Sequence, residues 1–256
     1  MSKTVRHLLI AIVIFSICGA YFVFFGYQTL MVLETRYLSW KVPFTKKTPV
    51  PLANTAVSSA PGTKLSFFGY EFEVPWEDVD ASRTKRVNNM ASIFFRSGNA
   101  MVISSVPPRD FVRSLMSSGG LDDESFRRIY GDEALRSDYL LKRAIFENTP
   151  DKVTLLTQKP TIASRSMMLM TKATIAPEKD SEIYSVRCNG FEGFQLGNPA
   201  DRPATIALEL YADDGELEFV LMQRKQGPPS SISQADINRI LQSIRRVDAD
   251  HGRQVN

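Results

Sequence analysis

Leu8 to Leu33 is a run of 26 residues without one charged side chain. As a helix it would span ~39 Å, more than the ~30 Å hydrocarbon core of a bilayer. Leu8–Tyr27 is its purest part, and Gln28 and Thr29 begin to dilute it. The length predicts a spanning helix that tilts or whose end emerges into the interface. Tyr27, Tyr37 and Trp40 are expected near that interface, where a ring keeps one side apolar and one end wet. A cleaved signal peptide is the competing reading, because Cys18-Gly19-Ala20 resembles a small-residue cleavage site. The apolar run continues straight through it as Tyr21–Phe25, past the roughly 7–15 residues of a signal h-region. Ile17 stands where a lipoprotein site at Cys18 would need a small residue. The expectation is therefore an uncleaved, single-pass signal anchor that meets the lipid bilayer through Leu8–Leu33.

The small pair Ser16 and Ala20, four residues apart, is the spacing through which two such helices could form a weak homodimer. Orientation is set by two opposing signals. Lys3 and Arg6 precede the run, and Arg36, Lys41, Lys46 and Lys47 follow it with Glu34 alone opposing. The positive-inside count leans toward a cytoplasmic C-terminal domain, whereas a short basic tail before an anchor usually stays inside and long domains translocate regardless of charge. The second argument is preferred: N-terminus in, domain extracytoplasmic.

Residues 42–63, with Pro43, Pro49, Pro51 and Pro61, show no periodicity and read as a flexible tether. The predicted organisation is a basic tail at 1–7, a transmembrane helix at 8–33, a basic and Pro/Ser/Thr-rich linker at 34–63, a soluble domain at 64–248 and a disordered tail at 249–256. The chain carries 31 Lys+Arg against 28 Asp+Glu. Lys3 and Arg6 contribute +2 and residues 34–47 contribute +3, which leaves −2 on residues 48–256. The basic character is juxtamembrane, which suits anionic lipid and excludes a nucleic-acid face on the domain.

Two histidines, His7 beside the apolar run and His251 in the polar C-terminus, leave no imidazole for a Ser-His-Asp, Cys-His or HExxH site. Cys18 and Cys188 form neither a CxxC pair nor a disulfide framework. Cys188 falls on the apolar side of Tyr184-Val186-Cys188 and reads as a buried small hydrophobe. Ser82–Lys85 matches S-x-x-K but lacks the S-D-N and K-T-G partners. Asn189–Gly197, NGFEGFQLG, lacks G-x-G-x-x-G, so its glycines mark a bulge or bend.

The domain opens with Phe68, Tyr70, Phe72 and Val74 in period-2 alternation. Gly98-Asn99 joins the apolar runs 92–96 and 100–104 as a hairpin. Helical spacing follows at Phe111–Met116, Phe126–Tyr130 and Leu135–Phe146. Ser166–Ile175 fits helix or strand. Strands return at Ile183–Cys188 and at Thr205–Tyr211 and Glu216–Arg224, the last two around the Asp213-Asp214-Gly215 turn. A closing helix at 233–247 has Ser233 as candidate N-cap. Segregated blocks predict an α+β fold, a mostly antiparallel sheet with helices packed on it and a C-terminal helix across one face. FFGYEFEVPW (67–76), the following hairpin, the central helices, TIALELYADDGELEFVLM and the closing ISQADINRILQSI resemble, in their order over 64–248, the Mog1/PsbP-like architecture. That resemblance implies a binding or assembly module and carries over no site residue.

The acidic knot Glu77, Asp78 and Asp80 beside Trp76, together with Phe191 and Phe194 of the Gly-rich segment, forms the candidate interaction surface. No catalytic, cofactor-binding or metal-ligating set is expected. The reading is a membrane-anchored binding module for an unknown protein or envelope component. Two alternatives are a hydrolase that uses Glu77, Asp78 or Asp80, and a small-ligand carrier with an apolar pocket beside the sheet.

Overall fold

Lys3–Lys41 form one uninterrupted helix, α1, in the computed structural model of the chain, which describes residues 3–53, 56–175, 182–201, 203–213, 215–223 and 232–247. The expected boundary at Leu33 is overrun because Glu34–Lys41 contains no Gly or Pro, and Pro43 is the first breaker. The helix also takes in Lys3–Arg6 of the expected tail. It is the one helix among the described residues long and apolar enough to cross a membrane, by length and composition. The expected tail at 249–256 lies outside the described residues.

Burial along α1 changes abruptly. Every described side chain from Val13 to Phe25 is exposed. From Gln28 onward one stripe is covered: Gln28, Thr35 and Ser39 are buried, and Met31, Val32 and Leu38 pack on Val153, Ile162 and Leu169. The cover is α5 (Lys159–Thr174), the segment that sequence left open between helix and strand. Pro160 sits in its first turn, where a missing N–H costs nothing, and Met167–Met170 are good helix formers.

The described residues of 34–63 (34–53 and 56–63) pack on the domain rather than forming a free tether, which corrects the expectation. A 3-10 turn at Pro43–Lys46 buries Phe44 completely, edge-on to Phe146 at 6.2 Å. Lys172 of α5, itself fully buried, donates to the carbonyls of Lys47, of Phe146 at 2.7 Å and of Asn148 at 2.9 Å. Further along, Asn238 Nδ2 donates to the Ala56 carbonyl at 2.7 Å, and Arg239 binds the Ala60 carbonyl. Proline removes regular structure without removing packing: Val50–Pro51 (β1) serves as a two-residue edge strand.

The small sheet holds Thr63–Phe67 (β2), Tyr70–Val74 (β3) and Arg245–Arg246 (β11) in the order β11-β3-β2. Phe68, expected in the strand, instead forms the β2–β3 turn with Gly69, at φ 55° and 82°. Two successive left-handed residues match the twist of a two-residue hairpin. The large sheet holds β1 with Lys85–Val87 (β4), Met90–Phe94 (β5), Asn99–Val106 (β6), Ile183–Cys188 (β7), Phe191–Leu196 (β8), Thr205–Ala212 (β9) and Gly215–Gln223 (β10). Its order is β1-β7-β8-β9-β10-β6-β5-β4, antiparallel except for the β1–β7 pair. Asp214 and Arg224, expected at the β9–β10 turn and strand end, lie outside the described residues.

Both faces of the large sheet are covered. On one, Ile237, Ile240 and Leu241 of α6 (Gln234–Ser243) and Phe72 of β3 pack on Leu208, Leu210, Leu217 and Phe219. Ser233 caps α6 in a reciprocal capping box with Asp236. On the other face lie α2 (Asp110–Gly119), α3 (Asp123–Tyr130), α4 (Asp138–Glu147) and α5, with Val112, Phe126, Phe146, Phe194 and Leu196 in one core. The chain is α+β as expected, with its C-terminal helix across one sheet face.

Candidate functional site

The helix-covered face buries a charge cluster. Glu209 and Tyr211 stand two apart on β9, and Glu216 and Glu218 two apart on β10, so all four project from one face. The antiparallel register sets Glu218 opposite Glu209 and Glu216 opposite Tyr211. Like charges directly opposite repel, and Lys142 of α4 supplies the counter-charge. Its ammonium lies 3.1 Å from Glu209 Oε2 and 3.3 Å from Glu216 Oε1. It also sits 5.0 Å from the ring centroid of Phe111 and 5.5 Å from that of Tyr211. Tyr211 donates to Glu209 Oε2 at 3.1 Å, and Ser104 Oγ to Glu218 Oε2 at 3.1 Å.

Burial alone would push the Lys142 ammonium down, but Glu209, Glu216 and Glu218 outweigh it and hold it well above its ordinary value. Burial pushes the Glu216 carboxyl up to about 7, with Lys142 opposing and Glu209 and Glu218 adding. Burial, with the Glu209 and Glu216 carboxylates adding, raises the Tyr211 phenol. Carboxylate oxygens of Glu209, Glu216 and Glu218 lie within 4.8 Å of one another, a spacing that suits a cation. The Lys142 ammonium already provides that positive charge.

Beside the cluster opens a cleft of about 370 Å³. Its lining brings Arg109 and Arg136 together with Tyr211 and the carboxylates of Asp138, Glu192, Asp213 and Glu216. Both arginines are exposed, and neither is in an ion pair among the described residues. Arg109 is held at φ 60° just before α2, where Asp138 of α4 accepts from the Phe111 and Val112 N–H groups at 3.3 and 2.8 Å. Those are two of the helix donors that have no partner within the helix. Gly215, at φ 150°, brings β10 to within 2.7 Å of the Val106 carbonyl as measured from where a Cβ would stand, so only glycine fits.

The surface expected from sequence is dispersed. Trp76 is half-buried with its ring 4.9 Å from Phe95. Glu77 is exposed, Asp78 accepts from the Ser97 N–H, and Asp80 accepts from Ser82 N at 3.2 Å and Ser82 Oγ at 2.6 Å. The Ser82 bond is the largest influence holding the Asp80 carboxyl below its ordinary value. Asp78 and Asp80 therefore order local turns, and the Ser82 of the S-x-x-K match is committed to Asp80. Phe191 and Phe194 are buried, which corrects their assignment to a surface. β8 is an inner strand with both faces covered, so Phe191 meets Tyr70 on one side and Phe194 meets Phe146 on the other. Gly193 is no bulge: it keeps regular register with Val186 and Leu210, and a Cβ there would strike the Glu209 carbonyl. Cys188 is half-buried, and burial pushes its thiol up to about 11.

The Lys142 cluster escaped sequence reasoning. Its signal was the alternation over Glu209–Glu218: Glu209 and Tyr211 two apart on one arm of the hairpin, Glu216 and Glu218 two apart on the other, and a lone lysine beside Leu141 on a helix that must cover them. Comparison with known proteins finds no matching family model, no matching curated protein and no matching solved structure.

Proposed function

We propose that this chain is a single-pass membrane-anchored binding module, N-terminus in and domain extracytoplasmic. Its ligand is a small envelope component bearing a phosphate or carboxylate, held in the cleft between Arg109 and Arg136. One observation carries the reading: Arg109 and Arg136, both exposed and neither in an ion pair among the described residues, line one cleft in which Lys142 pairs the Glu216 carboxylate. An oxyanion would take the guanidinium donors, and the neighbouring Glu216 carboxyl exchanges a hydrogen bond with a ligand hydroxyl. The Mog1/PsbP-like order of elements supports a binding module rather than a shared chemistry.

The test uses the full chain in nanodiscs, with inorganic phosphate and citrate as probes and thermal unfolding as the readout. Millimolar probe is expected to raise Tm, and Arg109→Ala with Arg136→Ala to abolish the rise. A rise that survives both substitutions, or no rise with either probe, would sink the cleft assignment. Orientation is tested separately with Ser59→Cys, an exposed position, in a Cys18→Ala, Cys188→Ala background. Labelling by an impermeant maleimide in intact cells supports the extracytoplasmic domain, and labelling only after lysis reverses it.

A further inference from the structure

α1 and α5 run side by side in the same direction. Ser166 of α5 meets Thr35 of α1 at 3.3 Å, and six residues on, Lys172 reaches the carbonyl of Lys47, beyond the end of α1. The start of α5 therefore points back along α1 toward its apolar half. Lys159, seven residues before Ser166, lies ~10 Å further down that axis, about level with Gln28. Gln28 is the first buried side chain described on α1. The 20 residues from Leu8 to Tyr27 cover ~30 Å, the thickness of the hydrocarbon core. The domain thus begins where the hydrocarbon ends, and the start of α5 falls in the roughly 5–7 Å headgroup layer.

At that level the chain makes a tight turn, with Thr157 N donating to the Thr154 carbonyl at 3.0 Å. Val153 anchors the turn in the α1–α5 cluster. Leu155 and Leu156 point out, and Leu156, 91% exposed, is the most exposed large apolar side chain among the described residues. Lys152 and Lys159 flank the turn. Arg128, Lys152 and Arg165 line a cleft of about 430 Å³ beside it. Its one carboxylate, Glu147, lies 3.9 Å from Arg143, and none of the four cations is in an ion pair among the described residues.

We propose that the Leu155–Leu156 turn is a second membrane contact. The two leucines enter the interfacial layer, and Arg128, Lys152, Lys159 and Arg165 meet the phosphates of anionic lipids. The occupant is the bilayer because the turn is level with the point where α1 leaves it. The inference rests on α1 as a spanning helix. Its consequence is a domain seated on the membrane in one orientation, so the Arg109–Arg136 cleft is presented at a fixed height.

The test reconstitutes the full chain, with Cys18→Ala and Cys188→Ala, into phosphatidylcholine vesicles with or without phosphatidylglycerol. A single cysteine at Phe22, Leu156 or the exposed Val87 of β4 carries an environment-sensitive fluorophore, and spin-labelled lipids quench it. Quenching is expected at Phe22 and Leu156 and not at Val87. Quenching at Leu156 should weaken at least twofold without phosphatidylglycerol, and likewise with Lys159→Glu and Arg128→Glu. Quenching at Phe22 without quenching at Leu156 overturns the inference and leaves the anchor standing. No quenching at Phe22 overturns the anchor and the inference with it. Equal quenching at Leu156 in both lipids overturns the role of the cations.

Discussion

The two faces of the large sheet solve burial differently. Under α6 and the small sheet the filling is apolar apart from an amide chain, in which Gln195 and Gln234 bond at 2.8 Å and Gln234 donates to Asn238 Oδ1 at 3.0 Å. Under α2–α5 two lysines are buried, and they are buried in opposite ways. Lys142 faces three glutamates, which keep its charge. Lys172 faces carbonyl groups, and burial, with Lys152 adding, pushes it down to about 7 even as those carbonyls accept from its charged form. Dipoles satisfy hydrogen bonds, but only a full opposite charge offsets the desolvation of an ammonium. The carbonyl solution closes the end of α4 and straps residue 47 to it. The carboxylate solution sets Glu216, paired with Lys142, in the lining of a cleft. Polar burial on this face therefore both assembles the chain and shapes a site, whereas the other face only assembles.

The comparison is sharpest where it is broken by substitution. Phe219→Ala on the apolar face removes a fully buried ring set edge-on to Phe72 at 5.1 Å, and should cost about 3–5 kcal/mol in urea unfolding. Lys142→Met on the charged face should cost about 3 kcal/mol at pH 8, because it strands three carboxylates rather than because it removes volume. Two controls separate these causes. The Lys142→Met cost should shrink at pH 5, where the Glu216 carboxyl takes up its proton, and Glu209→Gln with Glu216→Gln should recover most of it. The Phe219→Ala cost should not change with pH. A Lys142→Met cost that is the same at both pH values would mean the cluster acts by packing alone.

The two charged burials also titrate with opposite sign. Glu216 sits at about 7 in the folded chain against an ordinary 4.5, so the folded state holds the extra proton between those values. Its contribution is fully present below pH 4.5 and is lost as pH rises through about 7. Lys172 sits at about 7 against an ordinary 10.5, so the unfolded state holds the extra proton across that window and stability rises with pH. The sum is a stability minimum near neutral pH. Glu216→Gln should flatten the acid limb and Lys172→Met the alkaline limb of unfolding free energy against pH. A profile that rises steadily through pH 7 would remove the opposition between the two lysine environments.

Local signals in the sequence carried the elements that local chemistry decides. The period of residues 205–223 and the turn at Gly215 specify β9–β10, Ser233 and Asp236 specify the start of α6, and Asp122 caps α3 by accepting from Ser125 N at 2.8 Å. What escaped was decided between elements. Four prolines made 42–63 look free, yet Phe44 fills a core beside Phe146, 102 residues on in sequence. Phe191 and Phe194 looked like a surface because the number of layers is not written in one strand. The Lys142 cluster needs the β9–β10 register and the position of α4 together. Of the acidic knot, Asp80 had a legible local partner: a carboxylate followed two residues on by serine bonds its own loop.

The smallest expected effect contrasts how two helices begin, α6 on the apolar face and α2 on the charged one. On the apolar face α6 starts on its own cap: Asp236 N donates to Ser233 Oγ at 3.2 Å, and Ser233 N donates back to Asp236 Oδ2 at 2.9 Å. On the charged face α2 has no side-chain cap from Arg109 and borrows Asp138 of α4 instead. A local cap is half-exposed, so water can replace it. A borrowed one is buried, so its loss leaves donors without a partner. Ser233→Ala should therefore cost about 1 kcal/mol, and Ser233→Gly only a few tenths. Asp138→Ala should exceed both, in the range of about 1–3 kcal/mol. Urea midpoints of the three variants rank them directly. Equal costs for Ser233→Ala and Asp138→Ala would show that the buried face treats its polar groups no differently from the edge of the apolar one.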